Sequence, residues 1–162
     1  MADLLLKMPL NYEPLRKNRF LFRFPSDLGV QSWWVASGSR PSIDQEVTEI
    51  PFINTRTYVV GQYKWNPIKI TLVDPIGPSA SQAIMEWVRL HSESVTGRQG
   101  YAAGYMRDIE LEMLDPTGVS VSKWILKNCL IKSSNFGDLQ YNTSDVATIE
   151  IDIQPQYCIL CY

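Results

Sequence analysis

Apolar and polar residues alternate along much of the chain, and two segments with this alternation resemble each other. Residues 68–73 (Ile-Lys-Ile-Thr-Leu-Val) run into Asp-Pro-Ile-Gly, and residues 109–114 (Ile-Glu-Leu-Glu-Met-Leu) run into Asp-Pro-Thr-Gly. A period of two predicts β-strands with one face on a core. Asp, Pro and Gly in this order favour a turn, so the sequence predicts two related β units.

Between these two units, apolar residues recur at helical spacing. They predict an amphipathic α-helix over about residues 79–96, with Ser79 as N-cap, Gln82 completing a capping box and Gly97 as the stop signal. The apolar stripe consists of Ala80, Ala83, Ile84, Trp87, Val88, His91 and Val95. We expect one helix that packs this stripe against a sheet.

The rest of the chain predicts further strands separated by turns. The segments with strand character are residues 19–24, 31–37, 43–50, 119–131, 147–154 and 157–161. Trp33 and Trp34 are expected on opposite faces of one strand, and a change of phase predicts a bulge near Lys123. Residues 43–50 have no cleanly apolar side, which favours a projecting hairpin, with residues 51–60 as a loop or its second arm.

These elements predict a mainly β protein, an antiparallel β-sandwich or barrel-like fold of seven or eight strands with one flanking α-helix. We divide the chain into an N-terminal arm, residues 1–17, and a single β domain, residues 18–162. The arm is either a disordered tail or a segment that docks on a neighbour. Its apolar residues are Leu4, Leu5, Leu6 and Met8. The terminal strand is expected to be an open edge that needs a partner.

The composition is that of a globular chain, since 20% of its 162 residues are charged and 45% are hydrophobic. The net charge of -2 gives no overall positive field that would attract nucleic acid or membrane lipid. No apolar run approaches the roughly 18 residues of a membrane span, so neither a membrane anchor nor a signal peptide is predicted. We expect the protein to stay in the cytoplasm unless it leaves within a larger particle.

Catalytic chemistry has little support in the sequence. His91 is the one histidine, which excludes a multi-histidine metal site, and it lies on the apolar stripe as a buried residue would. Neither G-x-S-x-G nor H-E-x-x-H occurs, and the glycine-rich residues 97–105 are expected to be a flexible connection. The pairs Glu110/Glu112 and Glu150/Asp152 suit acid–base chemistry or, equally, a solvated strand face. We predict no enzyme, no catalytic residue, no cofactor and no metal.

The three cysteines leave two interpretations open. Cys158 and Cys161 form a C-x-x-C on a strand, where positions three apart point to opposite faces and do not readily bond to each other. With only Cys129 besides, a four-ligand zinc site lacks ligands. Either all three are reduced thiols, or one of them forms a disulfide with another chain.

Six blocks of sequence occur in an order typical of one family. They are Asn-Arg-Phe-Leu-Phe-Arg-Phe-Pro at 18–25, Trp65 ahead of the strand that ends at Asp74 and Pro75, Ser-Gln-Ala-Ile-Met-Glu-Trp at 81–87, Gly-Tyr-Ala-Ala-Gly-Tyr at 100–105, Leu-Glu-Met-Leu-Asp-Pro-Thr-Gly at 111–118, and Lys-Trp-Ile-Leu-Lys-Asn-Cys at 123–129. Together they resemble the tail tube proteins of contractile-tailed (myovirus) bacteriophages. The resemblance runs from about Asn18 to the end of the chain.

This resemblance implies a structural protein that assembles with itself. Hexameric rings stack helically into a hollow inner tube, and the protomers complete one multi-subunit β-barrel. The tube penetrates the host envelope when the sheath contracts, and it conducts the genomic DNA. The implied partners are the tail sheath protein, the baseplate and tail-terminator proteins, and the tape measure protein in the lumen. The implied location is the virion, assembled in the host cytoplasm.

Three sets of residues follow as hypotheses. A channel for DNA should bind it weakly, because each basic contact to phosphate adds affinity, so outward acidic faces would line the lumen. The lumen-lining candidates are Glu110, Glu112, Glu150 and Asp152. Residues 43–60 are expected to reach the adjacent ring, with Phe52, Ile53 and Tyr58 as the inter-ring contact candidates. The candidates for an inter-chain disulfide are Cys129, Cys158 and Cys161.

Two alternative functions stay open. The first is the tube of a phage-derived contractile injection device, such as a tailocin or a type VI-like secretion system, whose subunits share this architecture. The second is a monomeric β-barrel that binds a small ligand. The second function requires a stable monomer with an apolar pocket, whereas both tube functions require self-assembly.

Overall fold

Nine strands and two α-helices make up the part of the chain that the computed structural model describes, residue 9 and residues 11–162. The strands are β1 (Phe20–Arg23), β2 (Val35–Gly38), β3 (Ile43–Phe52), β4 (Thr55–Trp65), β5 (Ile68–Val73), β6 (Arg107–Leu114), β7 (Ser120–Asn135), β8 (Thr148–Gln154) and β9 (Tyr157–Leu160). The helices are α1 (Ala80–His91) and α2 (Ala102–Tyr105). The apolar residues of the predicted arm, Leu4, Leu5, Leu6 and Met8, lie outside the described residues.

The strands form two antiparallel sheets that share the long strand β7. The first part of β7 pairs with β6 on one side and with β9 on the other, and its residues 130–135 pair with β8. The first sheet therefore has the order β1-β6-β7-β9, and the second sheet has the order β7-β8-β5-β2. Pro155, which cannot donate a ladder hydrogen bond, separates β8 from β9, and these two strands lie end to end along β7.

The inner faces of both sheets and one stripe of α1 cover a single core. Ile70, Leu72 and Ile151 are fully buried, while the polar residues between them are not, because alternate strand residues point to opposite faces. Trp87 of α1 lies in the same apolar cluster. The predicted mainly β, antiparallel, sandwich-like fold is confirmed, and the single protomer is not a closed barrel.

α1 is shorter than the helix predicted over residues 79–96, because it ends at His91. Its start is as predicted: the Ser79 side chain accepts a hydrogen bond from the Gln82 N–H at 3.3 Å. Val95, assigned by spacing to the buried stripe, is 92% exposed. Without a surface to cover, tertiary packing no longer stabilises a further turn of helix.

The connection after α1 contains a second, four-residue helix that the sequence did not predict. This helix is α2, and the Trp87 indole N–H donates to the Tyr105 carbonyl oxygen at 2.9 Å. Gly97 closes a turn with φ of +70° and donates its N–H to the Glu93 carbonyl. A glycine suits that left-handed conformation, which explains its place there rather than at the end of α1.

The strand predicted over residues 31–37 is shorter in the structure, where β2 begins at Val35. Residues 32–34 form a 3-10 turn, closed by a hydrogen bond from the Trp34 N–H to the Gln31 carbonyl at 3.2 Å. The turn sends Trp34 into the core, where it is 1% exposed, and leaves Trp33 67% exposed. The two indoles still meet edge to face, with ring centroids 5.9 Å apart.

β7 has an irregularity near Lys123, as predicted, although Lys123 itself stands in register opposite Glu112. The pairing of β6 with β7 shifts on either side of that position, near residue 121 and again at residues 127–128. Asn128 there has φ of +50°. Asparagine tolerates a positive φ better than most residues, so the slip occurs where the sequence can accept it.

Candidate assembly surfaces

β3 and β4 form a hairpin that extends the β2–β5 pair beyond the second sheet. The register is the same in both parts: Gly38 lies opposite Ile70, and Ile43 lies opposite Trp65. Every residue of β3, and every residue of β4 except Trp65, is exposed. At about 3.3 Å per residue, strands of this length reach roughly 30 Å. The projecting hairpin predicted from weak alternation is confirmed.

The two faces of the outer half of the hairpin differ in charge. Residues directly opposite each other in an antiparallel pair share a face. One face carries Glu49 and Arg56, whose side chains form an ion pair at 3.0 Å. The opposite face has no ionisable residue, and we call it the uncharged face. It consists of Thr48, Ile50, Phe52, Thr55, Thr57 and Val59.

The tip of the hairpin exposes two of the three predicted inter-ring residues. Phe52 is 71% exposed, and Ile53 is 87% exposed with φ of +49°. A β-branched residue rarely adopts a positive φ, and strain of this kind tends to persist at functional positions. Tyr58 lies further from the tip, paired with Glu49 across the hairpin and on the charged face. Phe52 and Ile53 therefore form one apolar tip that does not include Tyr58.

A second exposed apolar surface lies at the far end of the second sheet, in the loop of residues 136–147 between β7 and β8. Leu139, Tyr141 and Val146 are large apolar side chains that are exposed there, Val146 the least at 66%. The Asp74 N–H donates to the Ala147 carbonyl oxygen at 3.0 Å, which fixes the loop to the end of β5 opposite the hairpin. Sequence reasoning missed this surface because the segment is mostly polar. The signal in the sequence that could have revealed this surface was the few large apolar side chains within that polar segment.

The four predicted lumen residues do not lie together. Glu110 and Glu112 are on the outer face of the first sheet, and Glu150 and Asp152 are on the outer face of the second. Because the inner faces of both sheets cover one core, the outer faces point away from it on opposite sides. One channel therefore cannot be lined by both pairs of the same protomer.

On the first sheet, each carboxylate of β6 pairs with a cation on a neighbouring strand. The ion pairs are Arg23–Glu112 at 3.0 Å, Lys123–Glu110 at 3.2 Å and Lys127–Asp108 at 3.0 Å. The backbone N–H of Asn128, and to a lesser degree Lys127, lowers the pKa of Asp108. A hydrogen bond to Glu110 raises the pKa of Lys123. The three pairs leave this part of the face without net charge.

Glu112 is the buried member of this ladder, 7% exposed beneath Arg23. We expect Arg23→Met to lower the free energy of unfolding by about 1–3 kcal/mol, because it leaves a buried carboxylate without its partner. The double variant Arg23→Met/Glu112→Gln should recover most of that loss, since a neutral amide is easier to bury. Urea unfolding of the single and double variants measures the difference. Equal losses in the two variants would contradict this account.

The outer face of the second sheet is polar. Lys69 pairs with Glu150 at 3.1 Å, and the Ser133 hydroxyl donates to Asp152 at 2.9 Å. Thr71 lies opposite Glu150 on the same face. This face therefore presents hydrogen-bonding and charged groups to solvent, in contrast to the first sheet, where Leu21 and Ile125 lie among the ion pairs.

The cysteines differ in burial, as their spacing predicted. Cys158 is buried and Cys161 is exposed, and Cys129 is buried as well. Burial raises the pKa of Cys129 to about 12 and that of Cys158 to about 11. Both thiols are therefore protonated and unreactive near neutral pH, and Cys161 is the one cysteine of the described chain that another molecule can reach.

Thiol labelling should follow that division. We expect a maleimide at about pH 8 to modify one thiol per folded chain and three per unfolded chain. The raised pKa of Cys129 also has a consequence for stability. The contribution of the Cys129 thiol to the free energy of unfolding is complete below its ordinary pKa of 9.0. This contribution is lost as the pH rises towards 12, because the thiolate then forms freely only in the unfolded state. Mass spectrometry counts the labels, and rapid labelling of two thiols in the folded chain would contradict the burial.

His91 has a structural role that satisfies both ring nitrogens. Nε2 accepts a hydrogen bond from the Ile131 N–H at 3.2 Å, so Nδ1 carries the proton and donates to the Trp87 carbonyl oxygen at 2.9 Å. The ring also stacks on Tyr105. Among the described residues, no group of three or more metal-ligating side chains is placed to hold an ion. None of the described helices is long and apolar enough to cross a membrane.

Two cavities lie at the seam between β1 and β2, the edge strands of the two sheets. One, of about 310 Å³, is lined by Leu15, Lys17, Phe22 and Met113, among others. The Phe22 ring reaches Gly38 across the seam so closely that a Cβ at Gly38 would lie 2.4 Å from it. The sheet interior is filled by the core side chains, so these cavities are surface clefts and not the internal pocket of a ligand-binding barrel.

No protein-family model matches the sequence, and no curated protein matches it either. Several solved structures match in fold. The cap of the anti-feeding prophage, described as its tube-terminating cap, is 17% identical with a TM-score of 0.73, over 99% of this chain and 98% of that chain. A chain of the PVC sheath–tube complex, from an extracellular contractile injection system in the extended state, is 15% identical with a TM-score of 0.71, over 99% of this chain and 96% of that chain.

A mutant form of Hcp1 from the E. coli EAEC 042 pathovar is more distant. It is 11% identical with a TM-score of 0.51, over 89% of this chain and 91% of that chain. At these identities, the similarity establishes the fold. The fold that the sequence resemblance implied is therefore confirmed, and it is shared with components of tube-and-sheath injection machines.

Proposed function

We propose that the chain is a tube subunit of a contractile injection apparatus. Copies form hexameric rings, and the rings stack into a hollow tube inside a sheath. The observation that carries this proposal is the pair of exposed apolar surfaces at opposite ends of the second sheet, the hairpin and the loop of residues 136–147. Exposed apolar surfaces of this kind mark sites of association. Surfaces at both ends allow the contact to be repeated from one ring to the next.

Lateral contacts have a separate basis in the sheet edges. Within the described chain, the second sheet ends at β2 on one side and at residues 132–135 of β7 on the other, because the Ile131 N–H already donates to His91. An open edge pairs readily with another strand. If identical copies join these edges around a central axis, six copies complete one multi-subunit barrel and leave no edge free.

The outer face of the second sheet would line the channel. A channel must stay hydrated and must not bind its cargo, which suits the polar face that carries Lys69, Glu150 and Asp152. The first sheet, with Leu21 and Ile125 among its ion pairs, would face away from the lumen. The proposal keeps Glu150 and Asp152 as lumen residues and moves Glu110 and Glu112 to the outside.

Electron microscopy tests the assembly. We expect the purified full-length protein, when concentrated, to form annuli and tubes in negative stain. A well-folded monomer at every concentration and salt condition would contradict the tube function and would favour the ligand-binding alternative.

Site-specific labelling tests the orientation of the sheets. In a Cys161→Ser background, Glu150→Cys and Glu110→Cys each provide one accessible thiol for a maleimide-coupled gold cluster. Averaged tube images should show gold inside the channel for Glu150→Cys and outside the channel for Glu110→Cys. The reverse pattern would overturn the assignment of the faces while leaving the tube function intact.

The similar structures support an injection device and also a second role, that of a tube-terminating cap. A cap needs one stacking surface, whereas this chain has exposed apolar surfaces at both ends, which favours the tube. Antibody labelling of contracted particles, whose inner tube is exposed beyond the shortened sheath, separates the two roles, since a tube is labelled along its length and a cap at one end only. The same images distinguish a phage tail from a phage-derived device, because a DNA-conducting tail with a tape measure protein ends on a capsid.

A further inference from the structure

We infer that His91 is a pH-sensitive switch for the strand edge through which neighbouring copies join, so that acid weakens the lateral contact. That edge consists of residues 132–135 of β7, which the proposed function pairs with β2 of the next copy. The inference rests on the proposed function and adds its regulation by protons. His91 is a positioning residue in this scheme, because it acts on the contact through Ile131.

A single hydrogen bond marks the start of the free edge. The Ile131 N–H donates to His91 Nε2 at 3.2 Å, so this N–H is not available to another strand. His91 is the last residue of α1, and Trp87, one turn earlier, is 1% exposed in the core. The hydrogen bond therefore ties the beginning of the edge to a helix that is anchored in the core.

The neutral imidazole is the form that can hold Ile131 in this way. Nδ1 carries the proton and donates to the Trp87 carbonyl oxygen at 2.9 Å, which leaves Nε2 as the acceptor. A second proton on Nε2 would place one N–H against another, and the bond to Ile131 would be lost. Histidine is the side chain whose charge ordinarily changes between pH 5 and 8, and the chain has one histidine.

The other groups around the ring favour the imidazolium. His91 lies at the C-terminal end of α1, where the helix dipole stabilises a cation. Tyr105 stacks on the ring with centroids 4.4 Å apart, and an aromatic face also suits a cation. The titratable side chains on the adjoining elements are Glu86, Arg89, Glu93, Arg98, Tyr105, Arg107 and Lys132. Within the part of the chain that the structure describes, none of the charged ones is hydrogen-bonded or ion-paired to the imidazole.

Assembly changes the balance between the two forms of the ring. In a free copy the edge can move away from Nε2, and His91 can take up a proton. In the proposed ring, pairing with the next copy holds residues 132–135, and with them Ile131, against Nε2. Free copies therefore bind more protons than assembled copies, so the lateral contact weakens as the pH falls. Since one group per copy is involved, the effect is at most about tenfold per pH unit.

The pH dependence of assembly tests the switch. Sedimentation measures the protein concentration needed for tube formation at about pH 7.5 and about pH 5.5, a range above the ordinary titration of carboxylates. We expect this concentration to be about tenfold higher in the wild type at the lower pH. The matched variant is His91→Gln, whose side-chain oxygen can accept from the Ile131 N–H but does not gain a proton in this range. It should need the same concentration at both pH values.

Hydrogen exchange provides a second measurement that does not depend on the folding of His91→Gln. In the unassembled wild-type protein, we expect the protection factor of the Ile131 amide to fall at least about fivefold between the same two pH values. The control is the amide of Ile70, in the middle of the same sheet opposite Ile151, whose protection should not change.

The outcomes separate this inference from the proposed function. A wild-type concentration that does not change with pH, an equal change in His91→Gln, or an Ile131 amide equally protected at both pH values overturns the inference alone. A wild-type protein that never forms tubes at about pH 7.5 overturns the proposed function, and the inference with it.

Discussion

Replacing residues 49–58 by Asn-Gly is expected to abolish tube formation while the protomer stays folded. The deletion removes the pairs from Glu49 opposite Tyr58 outwards, including the tip, and joins Thr48 to Val59. Asn-Gly is the preferred two-residue turn for an antiparallel hairpin, so the shortened strands still close. All the removed residues are exposed, so the core loses no buried side chain.

The matched control is Glu49→Gln/Arg56→Gln, which changes the charged face and leaves the uncharged face and the tip intact. We expect the control to form tubes of normal length, because an exposed ion pair contributes little. Circular dichroism and thermal unfolding report the fold of each variant, and negative-stain images report the tubes. Normal-length tubes from the shortened hairpin would end the idea that this element reaches the adjacent ring.

The hairpin also illustrates what the sequence alone could predict. Its strands have no cleanly apolar side, and the absence of a core-facing pattern predicted correctly that they project. Period-two alternation likewise predicted the core strands β5 and β8, and Ser79 predicted the start of α1. These features depend on residues close together in the chain, where spacing and capping chemistry decide the conformation.

The features that could not be predicted depend on pairing between distant segments. Alternation placed Glu110 and Glu150 on outer faces, but it could not tell that they belong to different sheets. That division arises because β7 pairs with β6 along one part and with β8 along another. The burial of Glu112 depends on Arg23, which comes from a strand far away in the sequence. The end of α1 depends on tertiary packing in the same way, because no part of the described protein covers Val95.

Trp87→Ala is expected to have the largest effect on the stability of the protomer. The indole is 1% exposed in the shared core, and its N–H donates to the Tyr105 carbonyl oxygen at 2.9 Å. Truncation leaves a cavity and removes the partner of that carbonyl, which together should cost about 3–5 kcal/mol. For a chain of this size, we expect the melting temperature to fall by roughly 6–20 °C.

Trp33→Ala is the matched control, because it removes the same side chain from a position that is 67% exposed. It should change the free energy of unfolding by less than about 1 kcal/mol.

Trp87→Phe separates the loss of packing from the loss of the hydrogen bond, since it keeps most of the buried ring and removes only the donor. If the hydrogen bond that joins α1 to α2 matters, Trp87→Phe lies between the wild type and Trp87→Ala in urea unfolding. Equal stability of Trp87→Phe and the wild type would assign the whole effect to packing, and equal losses in Trp87→Ala and Trp33→Ala would contradict the position of the core.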